Sequence, residues 1–300
     1  MKFSDTLTWL PRRRAKRFAH SGFAESTLAE LAWQRTRQAA SRWSYWGVAA
    51  GALVGLIAFA PASWLAHRVA AATDGRLLLT ETRGSLWAGS GVLVLTGGPD
   101  SRDARSLPGR LQWNIGLHGL GLELRLKQAC CLNGETALRV KPGFGRMQLT
   151  LVPPQGGTPG APFAQWPAEW LAGLGTPWNT LQLGGVLQLA SPGLTLQSAQ
   201  GRWQMQGQAD LLIIGASSRV STLDSLGSYR LTMAGSEAGT QINLSTIQGA
   251  LQLNGHGQWN AGKLHFRGEA HAQPGTEAAL NNLLNIIGRR QGALSLISIG

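Results

Sequence analysis

The chain has 300 residues, a net charge of +12, 40 glycines and charged side chains at only 14%. An ordinary soluble enzyme carries nearer about 25% charge, and this length holds one sizeable domain or two small ones beside a membrane segment. The basic excess does not by itself make a nucleic-acid binder, because its sharpest cluster, PRRRAKRF at 11–18, has no stacking platform or recognition motif beside it.

Residues 1–42 read as a basic cytoplasmic tail. Lys2, Arg12, Arg13, Arg14, Lys16, Arg17, Arg35, Arg37 and Arg42 outweigh Asp5, Glu25 and Glu30, which concentrates half of the net charge here. Arg12, Arg13, Arg14, Lys16 and Arg17 fit anionic lipid headgroups, which attract such side chains at about 1 kcal/mol each. Ser26 is placed to cap a weakly amphipathic helix over 27–40, lying on the membrane surface.

The next stretch, Trp43–Ala66, is free of charge. As one helix it would reach roughly 36 Å, enough to cross a hydrocarbon core of about 30 Å. Trp43, Tyr45 and Trp46 at one end and Trp64 at the other suit the headgroup level. Pro61 falls near the far end, where a kink is tolerated. The run starts too late and is too long for a cleaved leader. The reading is a single transmembrane helix at 43–66. Its basic flank keeps the N-terminus cytoplasmic and places 67–300 across the membrane, in the periplasm of a double-membraned bacterium.

Beyond the span the period changes. Leu122–Lys127, Met147–Leu151, Tyr229–Met233, Ile242–Ser245, Leu251–Asn254 and Leu264–Arg267 alternate apolar with polar, the pattern of half-buried strands. Glycine-bearing turns between them favour an antiparallel meander. The expected fold is mainly β: a curved antiparallel sheet domain with short helices. Two polar stretches interrupt it, Gly97–Gly109 and Pro153–Pro162, and the second is a candidate joint between halves of the domain. Ala164–Gly173 reads as a short helix. Gly185-Val-Leu-Gln-Leu189 and Gly249-Ala-Leu-Gln-Leu253 echo one another as a reused ribbon unit. At the C-terminal end Thr276 is placed to cap an amphipathic helix through Ile287. Leu280, Leu283, Leu284 and Ile287 form its stripe and Gly288 its stop. The stripe is expected to pack on the protein's own sheet.

Chemistry is sparse. There is no P-loop, nucleophile elbow or zinc-binding pair. Ser85 and Ser90 have no evident base, His118, His256, His265 and His271 are scattered, and Asp100 and Asp103 share a loop with Arg102 and Arg105. Cys130 and Cys131 are the only cysteines. Adjacent in sequence, they are open to a vicinal disulfide, pairing with another chain, or free thiols. No enzyme activity, cofactor or metal is expected. Tryptophan, at 12, is the unusual residue. Trp87, Trp113, Trp203 and Trp259 each lie on a strand-like stretch near glycine, where core filling is the default and an exposed aromatic strip the alternative.

Several short segments, in order around one apolar run, resemble a known family. They are Gly84-Ser-Leu-Trp-Ala-Gly-Ser90, Leu107-Pro-Gly-Arg-Leu-Gln-Trp113, Gly175-Thr-Pro-Trp-Asn-Thr-Leu181, Leu226-Gly-Ser-Tyr229 and Leu283-Leu-Asn-Ile-Ile-Gly-Arg-Arg290. Over roughly 45–300 the chain is similar to the N proteins of the bacterial type II secretion system. The resemblance implies a non-enzymatic inner-membrane accessory subunit with an AsmA-like periplasmic β domain. Its partners would be the secretin or the inner-membrane platform, and its export substrates folded periplasmic proteins. A periplasmic lipid-binding or lipid-transfer protein is the alternative. The tail at 1–42 lies outside the likeness. The residues that carry it are taken as structural: Gly84, Leu86, Trp87, Gly89, Trp113, Pro177, Trp178, Gly227, Tyr229, Trp259 and Gly288.

Overall fold

A computed structural model describes residues 44–154, 160–199, 202–236, 239–260 and 263–300. The expectations for the basic tail, its lipid-binding arginines and lysine, and Trp43 fall outside these residues.

The apolar run is not one helix. A first helix, α1, occupies 44–58 with its side chains largely exposed, and the chain leaves helical geometry at Phe59–Pro61. Proline lacks the N–H an interior helical residue needs, and it pushes the residue before it out of the α region. Pro61 itself is extended, at φ −71° and ψ 153°, and starts a second helix, α2 (Ala62–Ala72). At about 1.5 Å per residue the described part of α1 reaches roughly 22 Å. Among the described residues no helix is long and apolar enough to cross a membrane. This corrects the expected span at its C-terminal end: residues 60–66 belong to the compact unit formed by Phe59–Gly300.

That unit is a single 16-stranded sheet in which every pairing is antiparallel. The N-terminal half comprises β1 (Leu77–Gly84), β2 (Ala88–Thr96), β3 (Ala104–Ser106), β4 (Leu111–His118), β5 (Gly121–Lys127), β6 (Thr136–Gly143) and β7 (Arg146–Val152). After β8 (Pro162–Pro167), a 3-10 segment (Ala168–Leu174) and the short helix α3 (Trp178–Leu181) come two long strands, β9 (Leu183–Ala199) and β10 (Arg202–Ser218). The order continues through β11 (Gly227–Ser236), β12 (Gly239–Gln248), β13 (Leu251–Asn260) and β14 (Lys263–Ala272) to the helix α4 (Glu277–Ile287), β15 (Arg289–Gln291) and β16 (Leu294–Ile299). Neighbouring strands are mostly consecutive in the chain, with β3 set beside β2 and β8 beside the first half of β9. All six alternating segments lie within strands, and the sheet runs on across the 153–162 stretch because β7 pairs with β9. Two local expectations change. The loop at 97–109 contains β3, with Leu107 buried beyond it, and the helix expected at 164–173 is half strand and half 3-10 turn.

Register places the two kinds of side chain on opposite faces, since the side-chain period along a strand is two residues. Leu79↔Leu93, Gly89↔Trp113, Trp113↔Leu126, Leu124↔Leu138, Val140↔Leu149, Leu149↔Leu196, Leu211↔Leu231, Leu231↔Leu244 and Leu253↔Ala270 follow one another across the sheet as one apolar face. Two helices cover its ends. Ala62, Leu65, Ala66 and Val69 of α2, at helical i, i+3, i+4 and i+7 spacing, pack with Leu79, Leu93, Trp113 and Leu124. Leu280, Leu283 and Leu284 of α4 pack with Tyr229, Leu251 and Ala270, as expected of that stripe. Its N-terminal end differs from expectation. The Thr276 hydroxyl donates to the Gln273 carbonyl at 2.8 Å instead of capping α4. Gly288 stops the helix in extended geometry, where a Cβ would meet the Leu296 carbonyl oxygen at 2.5 Å.

Candidate interaction surfaces

Nine of the eleven family-like residues sort into three structural corners. The first is the turn between β1 and β2. Gly84 takes φ +89°, a left-handed value that favours glycine, and the Ser85 N–H donates to the Ala88 carbonyl at 2.8 Å to close the turn. The Leu86 N–H donates to the Ala60 carbonyl, and the Leu86 carbonyl accepts the Trp113 indole N–H at 3.1 Å. The Trp87 carbonyl accepts from Ile115 N–H. Gly89 lies under the Trp113 ring, where a Cβ would come within 2.6 Å of it. Five of the predicted residues therefore build one joint that receives the entering chain at Ala60–Pro61.

The second corner is the α3 segment. The Pro177 carbonyl accepts from Thr180 and Leu181 N–H, Trp178 begins the helix, and Asn179 Nδ2–H donates to Asp103 Oδ2 at 2.9 Å. Asp103 is thereby engaged in tying the 97–109 segment to α3. The third corner is under α4. Gly227 abuts Gly249, and the buried Tyr229 hydroxyl lies within hydrogen-bond distance of the Leu226 and Leu251 carbonyls. Burial pushes this phenol's pKa up. Trp113 is buried, but Trp203 and Trp259 are 55% and 51% exposed, so core filling fails for both. Trp203 lies at the start of β10 and Trp259 near the end of β13, where no helix among the described residues covers the face.

Cys130 and Cys131 are joined by a disulfide in the turn between β5 and β6. That turn docks β8, with Asn133 N–H donating to the Phe163 carbonyl and Gln165 N–H to the Cys131 carbonyl, each at 2.8 Å.

The polar face carries an ion ladder that alternation in β5 alone did not reveal. Glu123 accepts from Arg125 Nε and from Arg139 Nε on the facing strand, each at 2.7 Å, with His118 Nδ1 at 3.6 Å. Arg125 and Lys127 continue the ladder to Glu135 at 3.6 and 2.8 Å. Hydrogen bonds from Arg139 and then Arg125 hold the Glu123 carboxyl well below its usual range, at about 2. The i, i+2 spacing of Glu123 and Arg125 was the available signal, but the partner Arg139 comes from strand pairing.

Two shallow grooves lie along the sheet. One, of about 650 Å³, is lined by Arg83, Gln112, Asn114, Arg125 and Lys127 beside the first corner. The other, of about 580 Å³, is lined by Asn243, His256, Gln258, His265 and Arg267. Among the described residues no three His, Cys, Asp or Glu side chains group as a metal site. His256 and His265 sit on neighbouring strands beside Arg267, while His118 belongs to the ion ladder.

Between the two helices, no helix among the described residues covers the apolar face. Leu138, Val140, Leu149, Leu151, Leu194, Leu196 and Met205 are only partly buried, and none packs with either helix-capped cluster.

With this arrangement in view, residues 75–296 match the family described as Type II secretion system (T2SS), protein N. The chain belongs to that family. The match spans nearly the whole sheet, from the start of β1 to β16, and takes in the family-like residues from Gly84 to Gly288. No curated protein and no solved structure matches the chain.

Proposed function

We propose that this protein N family member is a non-enzymatic accessory subunit of the type II secretion system, anchored in the inner membrane. The apolar stretch ending at Ala58 would be its anchor, with the basic tail on the cytoplasmic side against anionic headgroups and the sheet in the periplasm. There it supports export of folded proteins across the outer membrane by contacting the secretin or inner-membrane platform proteins. The family match over nearly the whole sheet carries this reading. The polar face supports it: a broad ladder of exposed Gln, Arg, His and Asn side chains offers hydrogen bonds and charge to another protein. The test places photo-crosslinking amino acids in cells at Gln206, Arg230 and His265, all exposed on strands of the polar face. Covalent adducts with other secretion components are expected; absence of any protein adduct at all three positions overturns the reading.

One observation favours a second function. The uncovered middle of the apolar face, between α2 and α4, offers acyl chains a partly exposed hydrocarbon surface, as an AsmA-like lipid-handling domain would. Because α4 covers only one end of the face, its packing does not close the trough.

A further inference from the structure

In an antiparallel meander, successive turns alternate between the two ends of the strands. The turns at 84–88, 118–121 and 143–146 therefore emerge at one end of the sheet, about 10 Å apart at two strand spacings each. The chain enters the domain at this same end, where Pro61 bridges Ser85 and Leu86 binds Ala60. The end displays apolar side chains with no role in the fold's interior. Leu120 and Phe144 are fully exposed, at 100% and 108%, and Leu117 and Phe59 are each 86% exposed. Glycines on both sides of Leu120 and Phe144 make narrow tips, with Gly119 at φ +60° and Gly145 at φ +64°. Around the tips, His118, Lys141 and Arg146 are exposed, and no acidic residue occurs in 117–122 or 141–147.

We propose that these two hairpin tips insert into the surface of the anionic phospholipid bilayer in which the chain is anchored. Leu117, Leu120 and Phe144 would enter below the headgroups, with Lys141 and Arg146 against the phosphates. Apolar side chains at the tips gain by leaving water, and cations beside them gain from an anionic surface. A bilayer suits two separated apolar points better than a folded partner does, since a protein interface core is a continuous packed patch. Ala60 and Pro61, at the start of the sheet unit, are held at this same end by Leu86 and Ser85. Trp203 and Trp259 lie at the same end farther along but are only half exposed, so the contact is assigned to the β4–β5 and β6–β7 tips, which carry Leu120 and Phe144.

This inference rests on the membrane-anchor reading, and its test separates the two. The full chain is reconstituted into vesicles of phosphatidylethanolamine and phosphatidylglycerol with a photo-reactive amino acid in place of Val54, Leu120, Phe144 or Thr222. Val54 reports on α1, and Thr222 is exposed at the opposite end of the sheet. Lipid adducts are expected at 54, 120 and 144 and not at 222. Lys141→Glu with Arg146→Glu is expected to reduce the adduct at 144 while leaving that at 54. Lipid adducts at 54 without any at 120 and 144 would overturn tip insertion alone. Loss at all three would overturn the anchor reading along with it. Adducts between two copies of the chain at 120 and 144, in place of lipid, would reassign the tips to a protein interface.

Discussion

Glu123 shows how one side chain can be set by strands that are not its own. It is 7% exposed on a face that is otherwise solvated, and Arg125 and Arg139 supply the charge that makes this tolerable. The unfolded carboxyl, near 4.5, binds a proton more readily than the folded one at about 2. The group's stabilising contribution is therefore present above pH 4.5 and is lost as pH falls from 4.5 toward 2. Thermal melts of the Glu123→Gln variant should lie below wild type at neutral pH, with the two curves converging toward the acid end. A wild-type melting temperature that falls no more steeply than the variant's across that window would contradict the assignment. The same dependence on distant partners holds at Trp113, whose ring needs Gly89 beneath it and the Leu86 carbonyl for its N–H.

Among the elements, α2 and α4 do equivalent work at opposite ends of one apolar face. Each presents an apolar stripe, and each finds leucines that strand alternation has already turned toward it. Leu283 of α4 is 2% exposed. Replacing it with alanine should cost about 2–5 kcal/mol in urea unfolding, from lost burial and the cavity left behind. Asn285→Ala, on the exposed side of the helix, should stay within about 0.5 kcal/mol of wild type. Equal effects at the two positions would mean that the helix does not hold this face. The break between α1 and α2 belongs to the same scale: Pro61 ends one helix and positions the next to land on β1 and β2.

For the molecule as a whole, the decisive feature is a sheet with one polar and one apolar face, the latter covered, among the described residues, by helices at its ends. If acyl chains occupy the open middle, Val140→Asn with Leu149→Asn, a facing pair on β6 and β7, should lower the phospholipid that copurifies with the protein. Mass spectrometry of extracted lipid checks this, with circular dichroism verifying that the sheet is retained. Unchanged lipid content would leave the face without that role. Protein contacts on the polar face would be unaffected by this pair, because side chains at these positions point away from it.

The mainly β class, the strands from Leu122 to Arg267, the α4 stripe and the family were all readable from the residues alone, because period-two alternation, helical spacing, turn glycines and short motifs are local signals. The short motifs that bring large rings and glycines together, with Gly84, Gly89, Trp113 and Tyr229 among them, are local signals of the same kind. Other features required the tertiary structure. Ala62–Ala66 has the apolar composition of a span, and only the sheet beside it shows that this segment packs as α2. Trp113 and Trp259 look alike in sequence, yet one lies under a helix and the other at an uncovered strand end. Arg139 meets Glu123, and Leu120 shares an end with Phe144, only through strand pairing. Burial and partnership are set by residues far apart in the chain, and it is register, not composition, that brings them together.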